Sequence, residues 1–205
     1  MLTSSATATL AAIDINDSIW WLISRATGIV AWTLLSMAVC WGLLISTKAA
    51  AKASVPSALL GYHRFLGAMA VSFTLVHMLA LVADPHVYFG WYELFVPGMA
   101  LWHPDRLVWG VFAFYLLVAV EGTSLLMRRL PRKLWRQVHR STFVLYGLAT
   151  YHGVVSGPDD DNPWLRLVML ASVSVVAFLT VLRILAHHRA NVASSGAGTR
   201  PAANP

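Results

Sequence analysis

Residues 63–77 read His63-RFLGAMAVSFTLV-His77, and residues 139–152 read His139-RSTFVLYGLATY-His152. Both are apolar stretches bracketed by histidines, at spacings of 14 and 13 residues. At a helical rise of about 1.5 Å per residue, each spacing separates its two imidazoles by roughly 20 Å along the axis. An apolar helix carrying one histidine toward each face of a membrane is the expectation for both stretches. Alternation with period two is absent, and only helices or closed barrels satisfy their backbone groups in lipid.

The rest of the chain agrees. Of its 205 residues 58% are hydrophobic and 12% charged, and a soluble domain normally carries roughly twice that charge. The apolar residues fall in blocks long enough to cross a hydrocarbon core, which needs about 20 residues of helix. Five spans are predicted: Ile19 to Ser46, Leu60 to Val82, Leu107 to Met127, Leu134 to Val155 and Trp164 to Leu185. The fold class expected is an all-α membrane protein, a five-transmembrane-helix bundle. Residues 1–18 form an outer segment without the basic start of a signal peptide, 19–186 the membrane domain, and 187–205 a disordered cytoplasmic tail rich in Ala, Ser, Gly and Pro. The single cysteine, Cys40, lies inside an apolar block, so neither a disulfide frame nor a CxxC metal pattern is expected.

The net charge of +6 does not point to nucleic acid, because the basic residues flank apolar blocks. Lys48, Lys52 and Arg64 gather around the first connection. Arg128, Arg129, Arg132, Lys133, Arg136 and Arg140 gather around the third, and His187, His188 and Arg189 follow the last span. Acidic residues mark the other side: Asp14, Asp17, Asp84, Glu93, Asp105 and the run Asp159 to Asp161. The positive-inside rule then places the N-terminus outside and the C-terminus in the cytoplasm, in the cell membrane.

Spans two and four are separated by one span and run in the same direction. His63 therefore lies level with His139 on the cytoplasmic side, and His77 level with His152 on the outer side. Haem iron takes two axial ligands, and neutral imidazole is a good donor. Two parallel helices offering facing histidines at two depths would clamp two b-type haems, one above the other. A structural reading also exists, since a lone intramembrane histidine often only bonds a neighbouring helix; four histidines paired at matching depths weigh against it. Zinc or copper is not expected, because no Cys or carboxylate joins either level. The spacing of 14 keeps His63 and His77 on one face. The spacing of 13 does not, and a local bulge or tilt must absorb the difference, with Gly147 and Gly153 as the places for it.

Arg64 and Arg140 each follow an inner histidine. They are either forks for the carboxylates of the inner haem or ordinary flanking charge. Arg25, near the outer end of span one, either serves the outer haem or snorkels to water. Glu121, inside span three, reads first as the partner of a cytoplasmic arginine and second as a proton carrier. The outer link from Asp84 to Asp105 carries Tyr88, Phe89, Trp91, Tyr92, Phe95 and Trp102, with a turn at Pro97-Gly98. It is expected to lie along the headgroups, the alternative being a lid over an outer site. The acidic run Asp159 to Asp161 is expected to be a solvated turn, the alternative being a patch that attracts a cationic acceptor or partner.

Three stretches carry a resemblance: WWLISRATGIVAW at 20–32, HRFLGAMAVSFTLVH at 63–77 and WRQVHRSTFVLYGLATYHG at 135–153. They resemble the ferric reductase-like transmembrane domain, found in iron reductases, NADPH oxidases and the haem subunit of a bacterial methionine sulfoxide reductase system. The resemblance covers about Trp20 to Leu185. It implies bis-histidine ligation by His63 with His139 and by His77 with His152. It also implies electron transfer from a cytoplasmic reductant to an outer acceptor. The family's usual six spans appear as five here. No Gly-rich nucleotide loop follows them, so the donor is expected to be a separate flavoprotein, free reduced flavin or a membrane quinol.

The function expected is that of the membrane haem subunit of an oxidoreductase, without its own NAD(P)H or flavin domain. Its outer acceptor would be ferric iron, a redox partner protein or oxygen. Two other functions compete. One is a quinol-linked haem anchor for an extrinsic enzyme. The other is a non-redox membrane protein whose histidines bind haem for transport or sensing, or bind nothing.

Overall fold

In a computed structural model the described residues are 2–50, 56–85, 89–156 and 163–197, with side chains described from Ile19 to Val192 inside those bounds except at 48–50. Lys52, Tyr88, Asp159 to Asp161 and the end of the tail lie outside the described residues, as do the side chains of Asp14, Asp17 and Lys48.

Every described element is a helix. In chain order they are α1 (Leu2–Ala50), α2 (Ser57–Ala83), α3 (Trp91–Phe95), α4 (Pro104–Leu125), α5 (Arg132–Arg140), α6 (Thr142–Val155) and α7 (Pro163–Ala197). Four helices are long and apolar enough to cross a membrane: Ile19–Thr47 within α1, Ser57–Ala83, Pro104–Leu125 and Pro163–Val192. The last of these belongs to a helix that runs on past Leu185, through His187 and His188, to Ala197.

The stretch from Leu134 to Val155 departs from the single span expected of it. It is two helices, and α6 has 14 residues, short of the about 20 that a crossing needs. The break falls at Ser141, not at Gly147 or Gly153, which both lie within α6. Its cause is local. The Ser141 hydroxyl donates to the Val138 carbonyl and the Thr142 hydroxyl to the His139 carbonyl, each at 2.6 Å. The Ser141 N–H also turns back three residues, to Val138 at 3.0 Å. Hydroxyls that occupy helix carbonyls in this way compete with the backbone ladder and bend it.

The helices bury a shared apolar core of Leu35, Val39, Leu43, Ala70, Ala113, Leu117, Leu145, Tyr146 and Val176. It draws on α1, α2, α4, α6 and α7. Leu145 is the most enclosed of the large side chains. Polar ties between helices are few and specific. Trp32 Nε1 donates to Thr150 Oγ1 at 3.0 Å, joining α1 to α6. Trp41 Nε1 donates to the Leu59 carbonyl at 3.1 Å, joining α1 to α2. Tyr146 and Ser172 share a hydrogen bond of 2.8 Å between α6 and α7.

Large apolar side chains also cover the outside. Leu170, Phe178, Val181 and Ile184 on α7, and Leu75 and Leu79 on α2, are exposed. Exposed apolar side chains in such number mark a surface that meets lipid or another protein.

At the end of the bundle where α2 finishes, residues 89–103 fold back over the helices. Phe89, Leu94 and Ala100 pack on Met78 as a second small core. Tyr115 of α4 donates its hydroxyl to the Phe95 carbonyl at 2.7 Å. Gly98 takes φ +81°, the left-handed turn that the Pro97-Gly98 step announces. His103 takes φ 40° just before Pro104 opens α4, and Pro is suited to a first helical position. Trp91, Tyr92 and Leu101 remain exposed. The segment thus lies on the end of the bundle with an outward aromatic face.

Candidate functional site

The four histidines form two pairs at two depths. His63 on α2 and His139 on α5 have ring centres 6.0 Å apart and planes at 78°. His77 on α2 and His152 on α6 both line one cavity of about 360 Å³. Since 63 meets 139 and 77 meets the cavity shared with 152, the two histidine-bearing segments run parallel.

Three of the rings are held from behind by hydrogen bonds at Nδ1. His63 donates to the Ala38 carbonyl at 3.0 Å. His77 donates to the Ser24 carbonyl at 2.7 Å, with the Ser24 hydroxyl at 3.2 Å. His152 has the Ser156 hydroxyl at 3.1 Å and a longer approach, 3.5 Å, to the Arg106 carbonyl. A carbonyl can only accept, so at His63 and His77 the proton sits on Nδ1 and Nε2 keeps its lone pair. Metal-binding imidazoles are commonly oriented this way. The Nδ1 of His139 is buried and has no hydrogen-bond partner among the described residues.

Glycines give these rings their room. A Cβ on Gly28 would stand 3.0 Å from His77 Nδ1, one on Gly42 3.2 Å from His63 Cε1, and one on Gly110 2.7 Å from His152 Cε1. Gly28 and Gly42 are 14 residues apart on α1, the same spacing as His77 and His63 on antiparallel α2. That matched repeat is visible in the sequence, and reading the histidines alone misses it. Ser24, Ala38 and Trp135 were missed as well.

The cavity begins under the 89–103 segment and reaches the middle of the bundle. Phe89, Glu93, Leu94 and Trp102 close it at one end, and Ala70, Ala113, Leu117 and Leu145 at the other. Its walls are mainly apolar, with Ser24, Arg25, Asp84, His77 and His152 as polar points. Sites for organic ligands commonly have this volume and lining.

Arg25 faces the cavity and lies over the Trp21 ring at 5.0 Å. Arg64 and Arg140 are exposed beside the other pair. Glu121 differs from its first expectation. Among the described residues it has no arginine partner; its carboxylate packs against Gly67 of α2, where an added Cβ would collide with it. Gly67 is one helical turn from His63. No cluster of three or more His, Cys, Asp or Glu is gathered among the described residues, so a conventional four-ligand metal site is not present there.

A bundle of apolar helices, four of them long enough to span, with histidines paired in its interior, defines a multi-pass membrane protein. The chain belongs to the ferric reductase-like transmembrane component family, whose model matches residues 27–150. The matched stretch includes His63, His77 and His139 and stops two residues before His152. Comparison with curated proteins and with solved structures gives no match.

Proposed function

We propose that this protein carries electrons across the cell membrane through two b-type haems, from a cytoplasmic donor to an outer acceptor. In this reading His63 and His139 hold the inner haem, and His77 and His152 the outer one. The chain crosses five times, with α5 and α6 together as the fourth crossing. Its N-terminus is outside and its C-terminus in the cytoplasm, which puts the basic α5 end inside.

The observation that carries the proposal is the pairing of four imidazoles at two levels. The donor set suits the group. The His63 and His139 ring centres stand 6.0 Å apart, which would leave room for one metal between two imidazole nitrogens. The outer pair borders a cavity of about 360 Å³, mainly apolar as a macrocycle requires. When bound, haem supplies one-electron carriage by cycling its iron between ferric and ferrous.

The chain's own residues do the rest. The Ala38 and Ser24 carbonyls fix two of the rings with Nε2 directed to bind. Gly28, Gly42 and Gly110 let helix backbones approach the rings. Leu35, Ala70, Leu117 and Leu145 keep the space between the levels free of water. Arg25 offers the outer haem's carboxylates a fork, and Arg64 and Arg140 do the same for the inner haem. The 89–103 segment covers the outer site, where ferric iron or a redox protein would receive the electron. The donor is a flavoprotein, reduced flavin or a quinol. The placement of Glu121, one turn from His63 with no cationic partner among the described residues, favours a quinol, whose oxidation releases protons.

The test is the haem content and spectrum of the purified protein. About two haems per chain are expected, both low-spin in the dithionite-reduced form. His63→Ala and His152→Ala should each lower that ratio to about one. Reduction by a quinol but not by reduced flavin would select the quinol branch. Full haem retention in all four single histidine variants would sink the proposal.

A further inference from the structure

Among the described residues, His139 is the one paired histidine with no hydrogen bond behind it. His63, His77 and His152 each have a carbonyl or hydroxyl at Nδ1. The His139 Nδ1 is buried and has no partner among the described residues. Against it lies an indole: the Trp135 ring is stacked at 5.1 Å with planes 22° apart. Trp135 is one turn earlier on α5. Its own Nε1 is likewise buried and without a hydrogen-bond partner among the described residues. The two rings therefore meet by stacking and not through a hydrogen bond among the described residues.

This difference bears on ligation. A hydrogen bond from Nδ1 to an acceptor orients an imidazole and raises the basicity of Nε2. With Nε2 as the ligating atom, Nδ1 lies on the far side of the ring, so a haem held by His139 would not supply the missing acceptor. His139 is then the weakest donor of the four and the least fixed in orientation. Its anchor is also short: α5 has nine residues and is cut from α6 by the turn at Ser141.

We propose that His139 is the exchangeable ligand of the set, that Trp135 holds it in place of a carbonyl clamp, and that the inner site admits a small uncharged ligand when that stack opens. The inference rests on the two-haem reading above. The ligand class is a neutral two-electron donor small enough for the space that one imidazole leaves, and carbon monoxide is the probe. In the exchange the bond to His139 Nε2 breaks, the carbon lone pair replaces it and no electron changes hands. His139 stays neutral beside Trp135. Trp135 is a positioning residue, acting through His139.

The experiment mixes the purified, dithionite-reduced holoprotein with carbon monoxide and follows the difference spectrum. In the unmodified protein, slow binding at no more than about half of the haem is expected. Its rate should level off as carbon monoxide rises, because the imidazole must leave first. Trp135→Ala should bind about tenfold faster, while Trp135→Phe, which keeps a stacking ring, should follow the unmodified protein. The same half of the haem should stay reactive in His77→Ala, where the outer site is lost. Inert haem in both the unmodified protein and Trp135→Ala overturns the inference, as does equal reaction of both haems. A protein purified without haem from haem-replete cells would instead overturn the two-haem reading itself.

Discussion

At the scale of single residues, the contact between histidine and glycine decides whether a ring can stand where it does. Gly110 is the tightest case, since an added Cβ would stand 2.7 Å from His152 Cε1 and 2.9 Å from both ring nitrogens. The ring has little freedom to retreat, because its Nδ1, on that same edge, is tied to the Ser156 hydroxyl and approached by the Arg106 carbonyl. Gly110→Ala is therefore expected to destabilise the protein by about 1–3 kcal/mol. It should empty the outer site while leaving the inner one filled, halving the haem-to-protein ratio. Gly147→Ala is the control, because nothing lies within 4 Å of a Cβ there; it should be neutral or slightly stabilising, as alanine favours helix. Equal haem loss in both variants would show that the close approach at Gly110 is not what positions His152.

The histidine positions were legible because they are rare, polar and regularly spaced in apolar sequence. The clamps behind them were not. Ala38 and Ser24 act through backbone carbonyls, which every residue carries, so residue type announces nothing. Glu121 shows the limit of reading charge by proximity. Basic residues near it in sequence predict an ion pair, yet its neighbour in space is Gly67 of α2, where the missing side chain leaves the carboxylate a niche.

At the scale of elements, the break between α5 and α6 resolves the unequal spacings. On an unbroken helix, 13 residues would turn His152 roughly 140° away from His139. The turn at Ser141 resets that angle two residues after His139, so that one segment meets both histidines of α2. The sequence contained the cause, a Ser-Thr pair, but serine and threonine occur in many unbroken helices, bonding back to a carbonyl as Thr74 and Ser174 do here. Ser46 and Thr47 bond back together to Leu43 within unbroken α1; what distinguishes Ser141 is the three-residue turn of its own N–H to Val138. Replacing Ser141 and Thr142 together by Ala removes both side-chain competitors and favours a continuous helix. The expected result is inner haem binding weakened by about tenfold, with the outer site unchanged, measured by haem loss on titration with apomyoglobin. Loss of the outer haem first would show that the break aligns something other than His139.

At the scale of the whole molecule, direction is the remaining question, and the placement of charge sets the expectation for it. The end of the bundle holding His63 and His139 also holds Arg64, Arg128, Arg129, Arg132, Lys133, Arg136 and Arg140. The end holding His77 and His152 is closed by the aromatic 89–103 segment with Glu93. Basic residues near span ends are retained on the cytoplasmic side. That bias depends on the location of Lys and Arg and not on whether four or five segments span, so it survives the splitting of the fourth segment into two helices. It gives a sharp expectation for cysteine labelling in intact cells. In a Cys40→Ser background, which removes the one native thiol, a cysteine placed at Arg129 should be shielded from an impermeant maleimide until the membrane is opened. A cysteine at Leu101, which is 77% exposed on the covering segment, should label at once. The reverse pattern would turn the ladder around, making His77 and His152 the pair that meets the cytoplasmic donor. Labelling of both positions from one side would rule out a path across the membrane, because the two histidine levels would then not face opposite compartments.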